Sequence, residues 1–550
     1  MTTTLKYAAA IFAVAFVLFL PSVRYEFVDY DDNDYIISND HMRNGLSVEN
    51  IRWAIGSVGY ADNWHPLAWA SLMLDVSIYR AGHSCDSAED WAFGTVAMKN
   101  LSRIVHGHNV VLHAINAALL FLLMIYCCRG SAQGPTPDKV TYLAACFFAL
   151  FWAVHPLRVE PVCWAAERKE LLCVAFMLLS LICYRYSAIT SILTFLLALS
   201  AKPVAVAMPA IVLASDLICE GKVRIKRMIP FVALSLLVCV LTIASQGDAI
   251  GNGERMELLV RVSGALSAPL IYLWQTIWPV NLSCVYEVEN SVNVWLSFGG
   301  GLLVLGMIVF GLVWIVRYWK CRLNPRRLGF GSIANIFVFL IAWSYVGLIP
   351  MLGIVKVGCQ SHSDRYTYWI GCGLSIVGML VFEWARPRVR TFIQKTEGKN
   401  SEYELRSLRK GALGIGLCVV ALLFFTSSSI MPIWANTITL FRNAVEKSWS
   451  SEIAAVLAKH LYDLGPDGDR EAEAWLRECA ANHPSVTAYL NLAECLMRNP
   501  AKEISVLSGV RQYAEAEQLI DSAIATDPQC ERARVLKKLV SQAQDRGGVE

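Results

Sequence analysis

Long apolar segments recur along most of the chain and are separated by short polar stretches. The first, Leu5 to Val23, is nearly uncharged and long enough to cross a bilayer core of about 30 Å as a helix. Helices suit such segments because a chain in lipid must satisfy its own backbone hydrogen bonds. We predict about eleven spans, at residues 5–23, 109–127, 140–155, 171–186, 189–201, 203–219, 229–245, 295–316, 333–350, 369–384 and 411–431.

Basic residues between these segments predict the orientation, since cytoplasmic loops of membrane proteins are rich in Lys and Arg. They fall on one side of the membrane if the apolar segment 264–279 enters and returns, and on both sides if it crosses. We therefore predict that 264–279 is re-entrant or interfacial, with the N-terminus cytoplasmic and the loop 24–107 outside. The sequence Pro21-Ser22-Val23-Arg24-Tyr25 lacks the small-residue pair of a cleavage site, so the first segment is expected to remain as an anchor.

Composition agrees with a membrane protein: 55% of the residues are hydrophobic and 17% are charged, and the mean hydropathy is +0.45. The net charge of +3 is too small to indicate nucleic-acid binding. Many Cys lie inside apolar segments, and neither a metal-binding nor a disulfide spacing is present. Nucleotide-binding loops, nucleophile elbows and HExxH motifs are also absent from the sequence, which argues against an ATP-driven pump.

An acidic cluster follows the first apolar segment, with Asp29, Asp31, Asp32 and Asp34 close together. Carboxylates held at a membrane boundary favour raised and split pKa values, as a general base or a cation site requires. The alternative is a solvated acidic turn that ends the anchor. The rest of loop 24–107 contains amphipathic and aromatic-rich pieces that prefer the headgroup zone, so we predict that it lies on the membrane and covers a site.

A stripe of polar residues, His106, Asn109, His113 and Asn116, occupies one face of the second predicted span. Polar groups are costly in lipid unless they are paired, so this face must contact protein or a wet cavity. Helix packing and hydrogen bonding form the main interpretation. The alternative is a cation site completed by Asp31 or Asp32.

Two later outside segments carry charges beyond what a connection needs. The turn 155–170 mixes cations that suit a phosphate with carboxylates that could hold those cations in place, and the alternative is a salt-bridged surface turn. Arg365 precedes Tyr366 and Tyr368 at the start of another span. It could bind a phosphate bidentately or act as an interfacial anchor.

From about residue 434 the hydropathy falls and soluble-type helices are predicted. Small and aromatic residues recur in helix pairs that end at Pro484 and Pro528, as in tetratricopeptide repeats. The interval between these prolines exceeds the usual period of about 34 residues, and we place the excess in Asn499 to Val510. We predict a membrane domain at 1–433 and an extracytoplasmic helical-repeat domain at 434–550, which could bind a peptide or dock on the membrane domain.

Several short motifs occur in a characteristic order along the chain. Together they resemble the bacterial relatives of the transmembrane and tetratricopeptide-repeat O-mannosyltransferases, which belong to the GT-C superfamily of membrane glycosyltransferases. The resemblance covers essentially the whole chain. Its motifs are YDD after the first span, NWHPLAW, the His106 to Asn116 stripe, HPLRVEPVCWAAERKE, AKP, WPVNLS, GIVKVG and DRYTY.

The resemblance implies an all-α GT-C-like fold and a polyprenyl-phosphate-linked sugar, mannose-like, as donor. It implies transfer on the extracytoplasmic side to a protein or glycan hydroxyl, with Asp31 and Asp32 as the catalytic pair and Asp31 favoured as base. The remaining implied residues are Arg168, Lys169 and Arg365 at the donor phosphate, and His65, His106, His113, His155 and Glu160 lining the site.

Two departures from that family stand out. The repeat domain is short, and Asp29 occupies a position where relatives often carry Asn, which adds negative charge beside the pair. Whether a divalent cation participates is left open by the resemblance. The alternative functions are a non-catalytic membrane scaffold for envelope proteins and a lipid-linked glycan ligase or transporter. The C-terminal domain is expected in the periplasm, or in a lumen if the source is eukaryotic.

Overall fold

A computed structural model shows a helical chain that divides into two compact units. The first unit comprises Met1–Leu282 and Val288–Ala435, and the second comprises Ser283–Glu287 and Asn436–Glu550. Within these bounds the structure describes residues 3–61, 63–83, 87–129, 137–216, 224–245, 258–286, 293–321, 333–352, 361–397, 400–448, 451–462, 464–482, 484–498 and 506–547. No β-strand occurs in these ranges. Tyr60 and Asn63 form an isolated β-bridge that belongs to no strand.

The first unit consists of helices joined by short turns, several of them 3₁₀ or π turns. Its helices are α1 (Thr3–Phe19), α2 (Asp40–Arg43), α3 (Val48–Gly56), α4 (Pro66–Arg80), α5 (Val96–Arg129), α6 (Lys139–Ala153), α7 (Val159–Cys163), α8 (Arg168–Cys183), α9 (Ala188–Ala201), α10 (Met208–Ser215), α11 (Ile225–Ser245), α12 (Leu258–Ile277), α13 (Val294–Cys321), α14 (Ile333–Leu340), α15 (Thr367–Glu397) and α16 (Ser401–Ile430).

Several helices are long and apolar enough to cross a membrane, as expected of a multi-pass membrane protein. Six are found in the described part of the chain, and α6 with the segment Pro156–Cys163, bent by 60°, would make a seventh. The six are Thr3–Arg24, Val96–Arg129, Ile225–Ser245, Val294–Arg317, Asp364–Glu397 and Ser401–Trp434.

The predicted number of spans is larger than this count because four predicted segments fold as short helices. The segment 171–186 lies on α8, which has 16 residues, and 189–201 lies on α9, which has 14. Both are shorter than the roughly 20 residues that a span needs. The segments 203–219 and 333–350 also contain short apolar helices. The apolar segment 264–279 lies mostly on α12, which is not among the six long apolar helices.

Helix α5 packs against α1, α6 and α8, and its polar stripe is used for that packing. His113 Nε2 lies 2.9 Å from the carbonyl oxygen of Ala153, while its Nδ1 lies 2.8 Å from the Tyr368 hydroxyl. Asn116 donates to the carbonyl of Leu171 over 2.9 Å. A buried amide or imidazole would be costly without such partners, so the stripe ties α5 to its neighbours.

The second unit consists of consecutive helices in which small residues lie at the helix interfaces. Ala472, Ala516 and Ala523 are fully buried there, as close helix contact requires. Its helices are α17 (Thr437–Ser448), α18 (Ser451–Tyr462), α19 (Pro466–Asn482), α20 (Val486–Arg498), α21 (Val506–Thr526) and α22 (Glu531–Gly547). His483, residues 499–505 of the predicted insertion and the GIVKVG motif lie outside the described residues.

Candidate functional site

Asp31 lies at the edge of a cluster of charged side chains in the first unit. Its Oδ2 is 2.9 Å from Lys169 Nζ at the start of α8, and 39% of the Asp31 side chain is exposed compared with 6% of Lys169. The ammonium also lies 4.2 Å from the centre of the Tyr35 ring. Of the two members of the predicted catalytic pair, Asp31 is thus the one that a ligand can reach.

Asp32, the other member, is fully buried and connects two distant loops. Its Oδ2 accepts the backbone N–H of Val28 over 3.0 Å, and its Oδ1 accepts the N–H of Ala166 over 2.8 Å. Both carboxylate oxygens are therefore used inside the protein. Asp32 holds the acidic loop against the turn that precedes Lys169, which fixes Asp31 beside that lysine.

Burial raises the pKa of Asp32 from 3.8 to about 7. The two backbone hydrogen bonds act in the opposite direction, and repulsion from Asp31 contributes less than burial does. Burial also makes the largest contribution to the raised pKa of Asp34, ahead of Asp31 and Asp29. Burial, more than repulsion between neighbouring carboxylates, is thus the main cause of both raised pKa values.

Asp32 should give the stability of the protein a pH dependence with a definite sign. Because its folded pKa of about 7 lies above its ordinary value of 3.8, folding takes up a proton between those values, and stability should fall as the pH rises from about 4 to about 7. Thermal unfolding in detergent between pH 5 and pH 8 tests this, and Asp32→Asn should remove that part of the slope.

Comparison of two neutral variants separates the hydrogen bonds of Asp32 from its charge. Asp32→Asn keeps one acceptor, whereas Asp32→Ala keeps none and leaves a further buried N–H unsatisfied. We expect Asp32→Ala to be less stable than Asp32→Asn by about 1–3 kcal/mol. Equal unfolding midpoints for the two variants would contradict the connecting role of this carboxylate.

Glu167 lies at the centre of the charged cluster and contacts three cations. Its Oε1 is 3.6 Å from Lys169 Nζ and 3.5 Å from Arg365 Nε. Its Oε2 is 3.2 Å from Lys202 Nζ. Burial alone would raise the pKa of Glu167, but the three cations outweigh it and hold the pKa near 2, so this carboxyl remains ionised.

Each of the three cations has a second carboxylate, and that outer partner is closer than Glu167. Arg365 Nη1 is 2.6 Å from Glu160 Oε1, and the backbone N–H of Arg365 donates to Glu160 Oε2 over 3.0 Å. Lys202 Nζ is 2.7 Å from Glu170 Oε2. The cluster therefore consists of one central carboxylate, three cations around it and three outer carboxylates, including Asp31.

Aromatic rings form one wall of this cluster. Lys169 Nζ lies 5.5 Å and Arg365 Cζ 5.2 Å from the centre of the Trp164 ring. Tyr30 stacks on the same indole at 4.8 Å between centroids, and Trp434 stacks at 5.7 Å. Cation–π contacts stabilise charges that have lost part of their hydration, so the wall helps to hold both cations in place.

Arg168, predicted beside the donor phosphate, points away from the cluster. Its guanidinium is buried and donates to Ser71 Oγ, Asp75 Oδ2 and the carbonyl of Val105, each over 2.8 Å. These contacts join the start of α8 to α4 and α5. The structure thus places Arg168 next to Lys169 in the chain but gives its side chain protein partners.

The predicted site-lining histidines occupy separate places. His65 Nδ1 lies 2.9 Å from the Tyr35 hydroxyl, and burial followed by the charges of Lys169 and Lys202 lowers its pKa well below 6.5. It is therefore a neutral group close to the cluster. The other three are buried and take part in packing: His106 beside Phe27, His113 as described above, and His155, which contacts the carbonyl of Thr276 over 3.0 Å.

Lys202, Glu167 and Glu170 were not among the predicted site residues. A signal for Lys202 was present, because it is an ionisable residue at a helix break between two apolar segments, and such residues mark functional sites in membrane proteins. Glu167 and Glu170 belong to the turn 155–170, whose carboxylates were predicted to hold cations in place, but their pairing with Lys202 and Arg365 depends on contacts between distant parts of the chain.

A metal centre is not formed by the residues described. Within these ranges no group of three or more His, Cys, Asp or Glu side chains could hold an ion, and Asp31 is paired with a lysine.

Comparison with known proteins provides no relative. No protein-family model, no curated protein and no solved structure matches this chain.

Proposed function

We propose that the protein is an integral membrane glycosyltransferase that moves a mannose-like hexose from a polyprenyl-phosphate donor to a protein or glycan hydroxyl on the extracytoplasmic side. The observation that carries the proposal is the pair formed by Asp31 and Lys169 over 2.9 Å, which belongs to a cluster with two further cations. A carboxylate base next to cations is what transfer from a lipid phosphate requires.

Asp31 is the proposed general base. Its partly exposed carboxylate accepts the proton of the acceptor hydroxyl, whose oxygen attacks the anomeric carbon of the sugar. The bond from that carbon to the phosphate oxygen breaks on the opposite face, and the electron pair leaves with the polyprenyl phosphate. Configuration inverts, and the phosphate gains one negative charge.

Lys169 and Arg365 are the proposed cations that neutralise the charge developing on the leaving phosphate. Both contact Glu167 and lie near the Trp164 ring, so their heads are held in place before a donor binds. Preorganised charges need no reorganisation during the reaction, which is where most electrostatic catalysis originates. Asp32 and Arg168 are positioning residues in this scheme, because their polar atoms are used inside the protein.

The number of spans, the domain boundaries and the orientation in the membrane are part of the same proposal. About eleven spans, a GT-C-like membrane domain at 1–433 and a tetratricopeptide-like domain at 434–550 would place the cluster and the second unit on the extracytoplasmic side. The motif order of the sequence supports this arrangement, as does the run of soluble-type helices α17–α22. In this arrangement the short repeat domain would either bind acceptor or dock on the membrane domain.

Donor turnover tests the proposal directly. The full chain in lipid nanodiscs would receive polyprenyl phosphate carrying labelled mannose or glucose, together with envelope extract, with and without chelator. We expect label to move from lipid to polymer. A labelled donor that stays intact with every acceptor fraction would contradict transfer and favour a scaffold, whereas movement of the whole lipid-linked sugar across the bilayer would favour a transporter.

A further inference from the structure

Lys202 is the one cation of the cluster to which the proposed reaction assigns no role. We propose that Lys202 is a third phosphate-contacting residue, so that a lipid-linked phosphate donor is bound by three cations that converge on one place. This inference rests on the proposed transferase function. It adds to that function a residue from the break between α9 and the 3₁₀ turn Pro203–Ala207.

Convergence on a single carboxylate is the first observation. Lys169, Lys202 and Arg365 all lie within 3.6 Å of Glu167 oxygens, although they come from three separate parts of the chain. A carboxylate and a phosphate have similar oxygen spacing. Cations gathered around the Glu167 carboxylate are thus also arranged to contact the oxygens of a phosphate group.

Layering of the charges is the second observation. The central and outer carboxylates other than Asp31 are almost fully buried, whereas the cations retain some exposure. A ligand that approaches therefore meets ammonium and guanidinium groups before it meets these carboxylates. The exposed fractions of the side chains are 12% for Lys202, 13% for Arg365, 6% for Lys169, 3% for Glu160, 1% for Glu167 and 0% for Glu170.

A purely structural role is the competing explanation. Lys202 Nζ lies 2.7 Å from Glu170 Oε2, so the lysine could serve only to neutralise a buried carboxylate. Lys202→Met alone does not separate the two roles, because it leaves Glu170 unpaired and endangers the fold. The double variant Lys202→Met/Glu170→Gln removes both charges and leaves the net charge unchanged, while Glu167, which loses Lys202, keeps Lys169 and Arg365 as partners.

Equilibrium binding to the full chain in nanodiscs tests the proposal, with labelled farnesyl phosphate as probe and farnesol and inorganic phosphate as competitors. We expect the double variant to unfold close to the wild-type temperature and to bind farnesyl phosphate at least about ten-fold more weakly, as loss of a charge-assisted contact implies. Lys202→Arg should bind within a few-fold of wild type. Lys139→Met, which removes an exposed lysine of α6, is the matched control and should bind normally.

The outcomes separate the role of Lys202 from the transferase itself. Wild-type affinity in the double variant would overturn the phosphate contact of Lys202 and leave the proposed reaction intact. Farnesol that competes as well as farnesyl phosphate would overturn phosphate recognition and, with it, the proposed donor. Inorganic phosphate that competes equally well would overturn the lipid-linked source of the phosphate.

Discussion

Replacing Asp31 with Asn is expected to reduce sugar transfer by a factor of about 10²–10⁴, which is the usual contribution of a general base. An Asn of the same size cannot accept the proton of the acceptor hydroxyl. The fold should persist, because the Asp31 side chain is 39% exposed and the amide oxygen of Asn can still accept a hydrogen bond from the Lys169 ammonium. Lys169 also keeps its contacts with Glu167 and the Tyr35 ring.

Transfer rate and thermal unfolding should be measured on the same Asp31→Asn preparation. Asp40→Asn is the matched control, since Asp40 is an exposed carboxylate of the same loop that pairs with Arg43 over 3.3 Å; its transfer rate should stay within a few-fold of wild type. Equal transfer by wild type and Asp31→Asn would remove the proposed base. Loss of both transfer and folding would instead indicate that Asp31 is structural.

The acidic loop shows how far local sequence could predict the site. The position of Asp31 and Asp32 after an apolar segment predicted a charged centre at a membrane boundary, and the structure places Asp31 at the edge of a cluster of charged side chains. The different roles of these two adjacent carboxylates could not be predicted from the sequence. Asp32 accepts the backbone N–H of Ala166, and a contact with a backbone group cannot be recognised from the residue types in the sequence.

Arg168 and Lys169, at the start of α8, show a similar limit of prediction from the sequence. Both belong to a motif rich in charge, and the resemblance assigned both to the donor phosphate. Successive residues of a helix point about 100° apart, so adjacent cations at the start of α8 face different neighbours. Lys169 faces Asp31, while Arg168 meets Asp75 of α4. The side of the helix that faces the site depends on tertiary packing.

The positions of the helices were predictable from hydropathy, and the predicted segments 171–186 and 189–201 were already about as short as α8 and α9. Apolar segments form helices both in lipid and in the packed core of this protein, so the positions of α8 and α9 were predicted correctly. Their short lengths follow from charged or proline-containing breaks such as Ala201-Lys202-Pro203, and proline cannot continue the helix. These breaks bring Glu170 and Lys202 into the charged cluster.

Replacing Arg365 with Met is expected to destabilise the protein by about 3–5 kcal/mol, the usual cost of leaving a buried charge without its partner. Glu160 is buried, and Arg365 Nη1 lies 2.6 Å from it. The double variant Arg365→Met/Glu160→Gln should recover most of that stability, because it leaves no unpaired charge on Glu160 and the amide oxygen can still accept the backbone N–H at position 365. Thermal unfolding in detergent measures both changes.

Transfer should not return with the fold in that double variant, because neither Met nor Gln can neutralise the leaving phosphate. Arg386→Met is the matched control: Arg386 pairs with Asp138, whose side chain is 54% exposed, so its loss should cost at most about 1 kcal/mol and leave transfer unchanged. If transfer recovers together with stability in the double variant, Arg365 acts only as the partner of Glu160. If stability recovers and transfer stays low, the guanidinium has a role in the reaction beyond that ion pair.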